Sequence, residues 1–269
     1  NMIPPEDMPY EVGLTYRDGV PMVYDSGDYP KALRRALAEL GGLEEFRRRQ
    51  KDALAEGRYI GLGLGCYVEG TGVGPFEGAT VKIDPTGKIM VAAGACPQGQ
   101  GHETIFAQFA ADMWQVPIED VFVTVADTGH VSQGYGTIAS RSTVTASGAI
   151  KLATDEVHQK VFAIAANMLE TAEADLELRD AGVGVKGVPD MHVSYRDIAI
   201  AAKPGWGHQR PEGVVAGLES TSYYEPPTVT WSYAANASLV EVDPETGQIN
   251  IEKYVEVHDA GVLVNPMLA

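Results

Sequence analysis

The sequence predicts an α+β fold, in which strands pair as hairpins and helices are inserted between the hairpins. Two pairs of strand-like segments are each joined by a short turn of Asp, Pro, Thr and Gly, at residues 84–87 and 243–247. A third observation is the helical spacing of apolar residues over residues 142–171, far longer than a strand. Hairpin pairs with inserted helices favour an α+β arrangement over a doubly wound parallel sheet.

The first part of the chain is predicted to be an arm followed by two helices. Residues 1–27 are rich in Pro, Gly, Asp and Tyr and are expected to be extended. Asp28 is a good N-cap and Pro30 suits a first helical turn, so a helix is predicted to begin there and to stop at the glycines after Leu40. A second helix is predicted over about residues 43–56.

The rest of the chain alternates strands and helices. The predicted strands cover residues 59–69, 79–83, 88–95, 121–126, 232–242 and 248–258, with further short strands after residue 171. The predicted helices cover residues 102–115 and 142–171, whereas residues 127–139 read as a loop and 203–228 as irregular. We therefore divide the chain into residues 1–58, the arm and helical pair, and residues 59–269, a single binding region.

Composition excludes several classes of protein. Lys and Arg total 20 against 37 Asp and Glu, so the net charge of −17 disfavours a protein that grips nucleic-acid phosphates through a basic face. No apolar stretch approaches the roughly 20 residues that span a bilayer. Two cysteines are too few for a disulfide framework or a zinc site. We expect a cytoplasmic protein, and its first and last residues read as the inside of a longer one.

Some familiar motifs fail on spacing. Gly61, Gly63 and Gly65 lack the third glycine of a dinucleotide fingerprint at the proper distance, so close packing within a strand is the favoured interpretation. His102-Glu103 begins like a zinc-protease motif, but Phe106 stands where the second histidine belongs. No metal-ligating cluster is predicted, since the histidines do not group in the sequence.

Two polar, glycine-bearing segments remain, and each leads into a predicted helix. The first covers residues 96–104, with Gly99 and Gly101 on either side of Gln100. The second covers residues 134–143 and carries hydroxyls and one guanidinium group, Arg141. Glycines allow close approach of the backbone, and the free N–H groups of a helix N-terminus favour an anion. Taken singly, each segment is better explained as a capped helix start; together they favour an anionic cofactor.

Three motifs in this order resemble those of a known family. They are Gly99-Gln100-Gly101-x-x-Thr104, then Gly136-Thr137-x-x-Ser140-Arg141-Ser142-Thr143, then Asp259-Ala260-Gly261-x-x-Val264-Asn265-Pro266. The set is similar to the molybdenum-binding large subunit of the xanthine dehydrogenase and aldehyde oxidase family, and the Ser-Arg-Ser-Thr portion is most similar to its carbon monoxide dehydrogenase-like members. The resemblance covers essentially the whole chain.

The resemblance implies a molybdopterin-binding α+β fold with mixed sheets and long helices, and it implies roles for the motif residues. Gln100 would lie beside the molybdenum. The general base would not lie in this chain, because no Gly-Glu-Gly-Gly-like segment occurs. The residues implied to bind a molybdopterin dinucleotide, in its cytosine form, are Gly99, Gln100, Gly101, His102, Thr104, Gly136, Thr137, Ser140, Arg141, Ser142, Thr143, Asp259, Gly261, Val264 and Asn265.

The same resemblance implies an oxidoreductase that hydroxylates an aldehyde, an N-heterocycle or a CO-type substrate with water as the oxygen source. Its expected partners are the rest of the large subunit and subunits or domains carrying iron–sulfur clusters and FAD, since two cysteines cannot hold such clusters. The chain alone is not expected to be active. Two alternatives stay open: a non-catalytic binding or assembly module with the same fold, and a site for another phosphorylated ligand.

Overall fold

The computed structural model describes residues 2–205 and 210–268, which form two compact units. Unit 1 contains Asn1–Thr71 and Thr228–Val262, and unit 2 contains Gly72–Pro227 and Leu263–Ala269. Each unit therefore combines an earlier part of the sequence with a segment from its end. The sequence predicts a different division, in which residues 59–269 form one binding region. The compact units describe packing and not binding, so this division stays a prediction.

Within the described residues, helices and strands alternate in the order expected of an α+β protein. The helices are α1 (Tyr29–Glu39), α2 (Gly42–Ala55), α3 (His102–Trp114), α4 (Ser142–Leu169) and α5 (Tyr195–Ala201). The strands are β1 (Tyr10–Thr15), β2 (Pro21–Tyr24), β3 (Tyr59–Thr71), β4 (Glu77–Ile83), β5 (Ile89–Ala93), β6 (Val121–Val125), β7 (Leu176–Arg179), β8 (Gly182–Val185), β9 (Val188–Ser194), β10 (Glu219–Tyr224), β11 (Thr230–Val242) and β12 (Ile249–Asp259).

Unit 1 is an antiparallel sheet packed on two helices. Its strands lie in the order β12-β11-β3, and β11 pairs with β3 along the full length of both strands. Alternate residues of β11, from Tyr233 to Leu239, face α1 and α2 and are buried against them. The helix start predicted at Asp28 is confirmed, because its carboxylate accepts a hydrogen bond from the backbone N–H of Lys31 at 2.9 Å.

Unit 2 is a four-stranded mixed sheet with two main helices. Its strands lie in the order β10-β4-β5-β6, and β5 and β6 are parallel neighbours joined by a connection that contains α3. The predicted apolar face of α4 is buried, including Ile150, Val157 and Ile164, each fully enclosed. The smaller sheet β7-β8-β9 adds to the same core.

Three sequence expectations need correction. The extended arm is a hairpin, because β1 and β2 pair antiparallel within residues 1–27. The irregular stretch 203–228 contains β10, whose polar sequence hides its pairing with β4, and its residues 206–209 lie outside the described part of the chain. Of the three glycines expected to pack closely within β3, only Gly61 has a neighbour: a Cβ there would lie 3.5 Å from Cγ2 of Val240, whereas one on Gly63 or Gly65 would meet no atom within 4 Å.

Candidate functional site

The first predicted segment forms a loop between β5 and α3. Gly99 has φ +103° and Gly101 has φ +73°, backbone angles that L side chains rarely adopt. Gly101 is the N-cap of α3, and no side chain caps this helix. The exposed side chain of Gln100 accepts a hydrogen bond at Oε1 from the backbone N–H of Gln98 at 2.6 Å. A Cβ built on Gly99 would meet nothing within 4 Å, whereas one on Gly101 would lie 2.9 Å from Cδ1 of Leu268. The first turn of α3 therefore begins behind a loop that is open at Gly99 and covered by Leu268 at Gly101.

The second segment forms a loop before α4. Ala139 (φ 46°) and Ser140 (φ 50°) are two consecutive non-glycine residues in the left-handed region, a strained arrangement that often accompanies functional sites. Arg141 is the N-cap of α4, again with no side-chain cap. Gly136 has φ +90°, and a Cβ there would meet nothing within 4 Å. Both helices thus begin without a side-chain cap.

Unit 2 brings these two loops together. Because β5 and β6 are parallel neighbours, their carboxyl ends meet at one edge of the sheet, and each loop follows one of these ends. The Nε2 amide of Gln98 donates to the carbonyl of Thr137 at 3.2 Å, and the Ser142 hydroxyl donates to Oγ1 of Thr137 at 3.0 Å. We call residues 98–104 and 134–143 together the glycine-loop site.

Beneath the second loop lies a buried ion pair, Glu77 with Arg141. Both side chains are 0% exposed, and Nη1 of Arg141 lies 2.9 Å from Oε2 of Glu77. The Arg141 guanidinium also donates to the carbonyls of Val73, Phe76 and Gly136, at 2.7, 2.5 and 2.7 Å. The sequence resemblance implies that Arg141 binds the cofactor; in this structure the partners of its guanidinium are protein oxygens.

Sequence reasoning missed Glu77. The one signal in the sequence is that Glu77 starts a strand with small and apolar residues, which is expected to be buried. Because a buried carboxylate is rare unless it is paired, such a glutamate indicates a charged partner elsewhere in the chain. Its partner is 64 residues away, so spacing along the chain does not reveal the pair.

His102 begins α3 and is 3% exposed. Its ring stacks on Phe106 with centroids 5.4 Å apart, and its Nδ1 has no hydrogen-bond partner. Burial lowers the pKa of His102 below its usual range, which Glu103 partly offsets, so the ring is neutral at pH 7. A buried ring nitrogen without a partner at an uncapped helix start is a position that a bound polar group would satisfy.

The third motif is divided between the two units. In unit 2, the Asn265 side-chain amide donates to Oε1 of Gln108 on α3 at 2.8 Å, and Val264 precedes it. In unit 1, Asp259 accepts from the Gly261 N–H at 3.0 Å and from the Tyr233 hydroxyl at 3.1 Å. The Val264–Asn265 half of the motif therefore lies against the helix that starts at the glycine-loop site.

These residues fit a phosphorylated pterin cofactor. Two uncapped helix N-termini supply N–H donors, Gly99 and Gly136 leave open space, and the His102 ring nitrogen lacks a partner. Within residues 2–205 and 210–268, no group of three or more His, Cys, Asp or Glu side chains is arranged to hold a metal ion.

No helix in the described ranges has both the length and the apolar character needed to cross a bilayer. Cys66 and Cys96 are exposed and free.

The fold and the paired loops define a cofactor-binding α+β domain. The chain belongs to the molybdopterin cofactor-binding domain family, whose pattern matches residues 36–269. The resemblance drawn from the three sequence motifs and the α+β fold class are thereby confirmed.

Similar proteins agree with this assignment. The large subunit of nicotine 6-hydroxylase from Paenarthrobacter nicotinovorans is 36% identical over 92% of this chain and 32% of its own length. The carbon monoxide dehydrogenase large chain of Afipia carboxidovorans is 33% identical over 100% of this chain and 34% of its own. The structure of quinoline 2-oxidoreductase from Pseudomonas putida 86 superposes with a TM-score of 0.86 at 35% identity, over 100% of this chain and 34% of that one. The chain spans about a third of the length of these relatives.

Proposed function

We propose that this chain is the molybdopterin-dinucleotide-binding part of the catalytic large subunit of a molybdenum hydroxylase. The observation that carries the proposal is the pairing of two uncapped helix N-termini behind joined glycine loops, in a chain that belongs to the molybdopterin cofactor-binding family. The names of the relatives, nicotine 6-hydroxylase large subunit and carbon monoxide dehydrogenase large chain, support a hydroxylase or dehydrogenase of this kind.

The residues of the first loop bind the reactive end of the cofactor. Gly99 lets the backbone approach it, and Gly101 supplies the left-handed backbone that starts α3. Gln100 lies beside the molybdenum with a side-chain amide that donates and accepts. His102 offers its unpartnered Nδ1, and Thr104 adds a hydroxyl in the first turn of α3.

The residues of the second loop and of the chain end bind the rest of the dinucleotide. The first-turn amides of α4, with Thr137, Ser140, Ser142 and Thr143, surround the phosphates and the pterin. Gly136 leaves room, and Arg141 acts from beneath through its hydrogen bond to the Gly136 carbonyl. The residues that line the nucleotide are Asp259, Gly261, Val264 and Asn265.

When bound, the molybdenum cofactor supplies the oxidation of an aldehyde, N-heterocycle or CO-type substrate, with water as the oxygen source. This chain supplies positions and electrostatics: it orients the pterin, holds its phosphates on backbone N–H groups and places an amide at the metal. The general base comes from the rest of the large subunit. We further propose that the cofactor is the cytosine dinucleotide and that partner subunits carry iron–sulfur clusters and FAD.

Cofactor analysis of the assembled enzyme tests this function. The full-length subunit, purified with its partners, is expected to release molybdenum, a pterin and a cytidine nucleotide on denaturation, in equal amounts per chain. Absence of all three would favour a non-catalytic assembly module. A different phosphorylated compound in their place would also overturn the proposal.

Replacing Gln100 tests the site itself. Gln100→Ala in the full-length enzyme is expected to lower turnover about a hundredfold, the size seen when one preorganised hydrogen-bonding group is removed. The electron paramagnetic resonance signals of the partner clusters should be unchanged. Gln159→Ala, an exposed glutamine on α4, is the matched control and should behave as wild type. Unchanged turnover in Gln100→Ala would remove this residue from the site.

A further inference from the structure

Glu77 is a buried carboxylate that the proposed function does not use. It is the first residue of β4 and is 0% exposed. Oε1 accepts from the backbone N–H groups of Gly78 at 3.1 Å and Tyr135 at 3.3 Å, and Oε2 accepts from the N–H of Gly136 at 3.1 Å and from Arg141 at 2.9 Å. Two of these donors are consecutive amides of the second loop of the glycine-loop site.

The cost of burying this carboxylate explains why the loop takes its observed path. A buried charge is stable only when it is paired and its remaining lone pairs are satisfied. Arg141 neutralises Glu77, and the amides of Tyr135 and Gly136 complete its hydrogen bonds only if both point inward. The carbonyl of Gly136 then points at the guanidinium, which it meets at 2.7 Å. The ion pair thus fixes both backbone polar groups of Gly136, its N–H and its carbonyl.

The backbone packs closely around Glu77. A Cβ built on Gly94 would lie 2.5 Å from Oε1 of Glu77, and one on Gly134 would lie 2.9 Å from the same oxygen. Those two glycines also touch each other, since the Cβ of either would lie 2.7 Å from the Cα of the other. The loop after β5 and the loop before α4 are therefore pressed together at the carboxylate.

We propose that Glu77 is a positioning residue for cofactor binding, which holds the loop at residues 134–137 in its binding conformation through paired loop amides and the Arg141 guanidinium. This inference rests on the proposed function. It assigns Arg141 an indirect part: the arginine retains the cofactor by fixing Glu77 and Gly136, and it does not bind a phosphate itself.

Three variants of the full-length enzyme in its assembled complex test this. Glu77→Gln keeps the size of the side chain but has one acceptor oxygen for the two loop amides. Glu77→Gln combined with Arg141→Gln removes both charges, so neither is left buried without its partner. Glu156→Gln is the matched control, because Glu156 is a carboxylate of the same unit that accepts from the Ser220 and Ser222 hydroxyls.

Two readouts are measured on each variant: molybdenum and pterin content per chain, and hydrogen exchange of the loop amides. In Glu77→Gln we expect the amides of Tyr135 and Gly136 to exchange about tenfold faster or more, the change that loss of one hydrogen bond to a charged group produces. Cofactor content should fall by a similar factor. Glu156→Gln should match wild type in both.

The double variant separates positioning from simple charge balance. If Glu77 only compensates the charge of Arg141, removing both charges restores cofactor content together with the thermal midpoint of unfolding. If Glu77 positions the loop, the midpoint recovers while cofactor content and amide protection stay low. Restored cofactor content in the double variant, or unchanged loop exchange in Glu77→Gln, would overturn the proposal.

The outcomes also separate this inference from the proposed function. A wild-type enzyme without molybdenum and pterin would contradict the proposed function, regardless of the hydrogen exchange of the loop amides. A wild-type enzyme that holds them, combined with a Glu77→Gln variant that keeps both its cofactor and its loop protection, would sink only the positioning role.

Discussion

Two pairs of glycines in this molecule differ in the space around them. Gly63 and Gly65 stand in the middle of β3, where a Cβ would meet nothing within 4 Å. Gly94 and Gly134 stand beside Glu77, where a Cβ would meet a carboxylate oxygen and backbone at less than 3 Å. The glycines that alternate regularly in β3 have room for a side chain, whereas Gly94 and Gly134, which are 40 residues apart in the sequence, have none.

The difference shows that the need for glycine at a position depends on the atoms packed against it in the folded protein. Those atoms come from distant parts of the chain, so the local sequence does not reveal them. In β3, Gly63 and Gly65 pair with Ser238 and Asn236 of β11 and are exposed, so their Cβ positions stay open. Beside Glu77, two loops from different parts of unit 2 converge on one carboxylate, and only residues without a Cβ allow that approach.

The largest expected effect comes from filling the closed region. Gly94→Ala is expected to destabilise the full-length subunit by about 3 kcal/mol, since the added methyl group must displace Glu77 or Gly134 in a packed interior. Denaturant unfolding measures this, and pterin content should fall in parallel. A loss below about 0.5 kcal/mol, the size of an ordinary surface substitution, would show that the contact relaxes at little cost.

A second buried region of unit 2 should respond to pH. His158 packs against Trp114 with ring centroids 4.1 Å apart, and the His158 Nε2 and Trp114 Nε1 atoms have no partners, in contrast to the satisfied Glu77. Burial lowers the pKa of His158 from 6.5 to about 4. The unfolded chain therefore binds a proton at a higher pH than the folded chain does. Stability from this residue is full above about pH 6.5 and is lost as the pH falls toward about 4.

The size of the effect is about 2 kcal/mol after allowance for the partial exposure of the ring. Thermal midpoints of unfolding between pH 7 and pH 4 measure it. His158→Phe should remove this part of the pH dependence, while His130→Gln, which changes a side chain 60% exposed, should not. An identical pH profile in His158→Phe and wild type would contradict the assignment.

The smallest effect should come from the open strand. Gly63→Ala is expected to raise stability by about 0.5 kcal/mol, because alanine loses less backbone freedom on folding and no atom obstructs its methyl group. The measurement is the same denaturant unfolding used for Gly94→Ala. A loss of stability instead would indicate that another segment of the full subunit packs on this strand.

Much of the scaffold follows from local signals in the sequence. The N-cap of α1, the apolar face of α4 and the starts of α3 and α4 are set by neighbouring residues, and the structure has them where the periodicity predicts. β10 was missed because its residues, Glu219–Tyr224, are mostly polar and become a strand only by pairing with β4. Strand pairing between distant segments leaves little local trace.

The candidate site divides in the same way. The two glycine segments were predicted from their own residues, and unit 2 joins them through Gln98 and Thr137. Glu77 could not be predicted, because its role depends on amides and a guanidinium more than 50 residues away. The cofactor contacts assigned to individual motif residues stay predictions until a bound cofactor is observed.

The burial of Arg141 bears on the speed with which a cofactor is loaded. This stretch carries a net charge of −17 and contains 20 Lys and Arg residues. One of them, Arg141, lies at the glycine-loop site, but protein oxygens enclose its guanidinium, so its charge adds little to the electrostatic potential in the solvent. The charge of this stretch therefore repels an anionic cofactor at long range, and its backbone amides attract the cofactor only at contact. As far as this stretch sets the rate, salt should then speed cofactor binding by screening the repulsion.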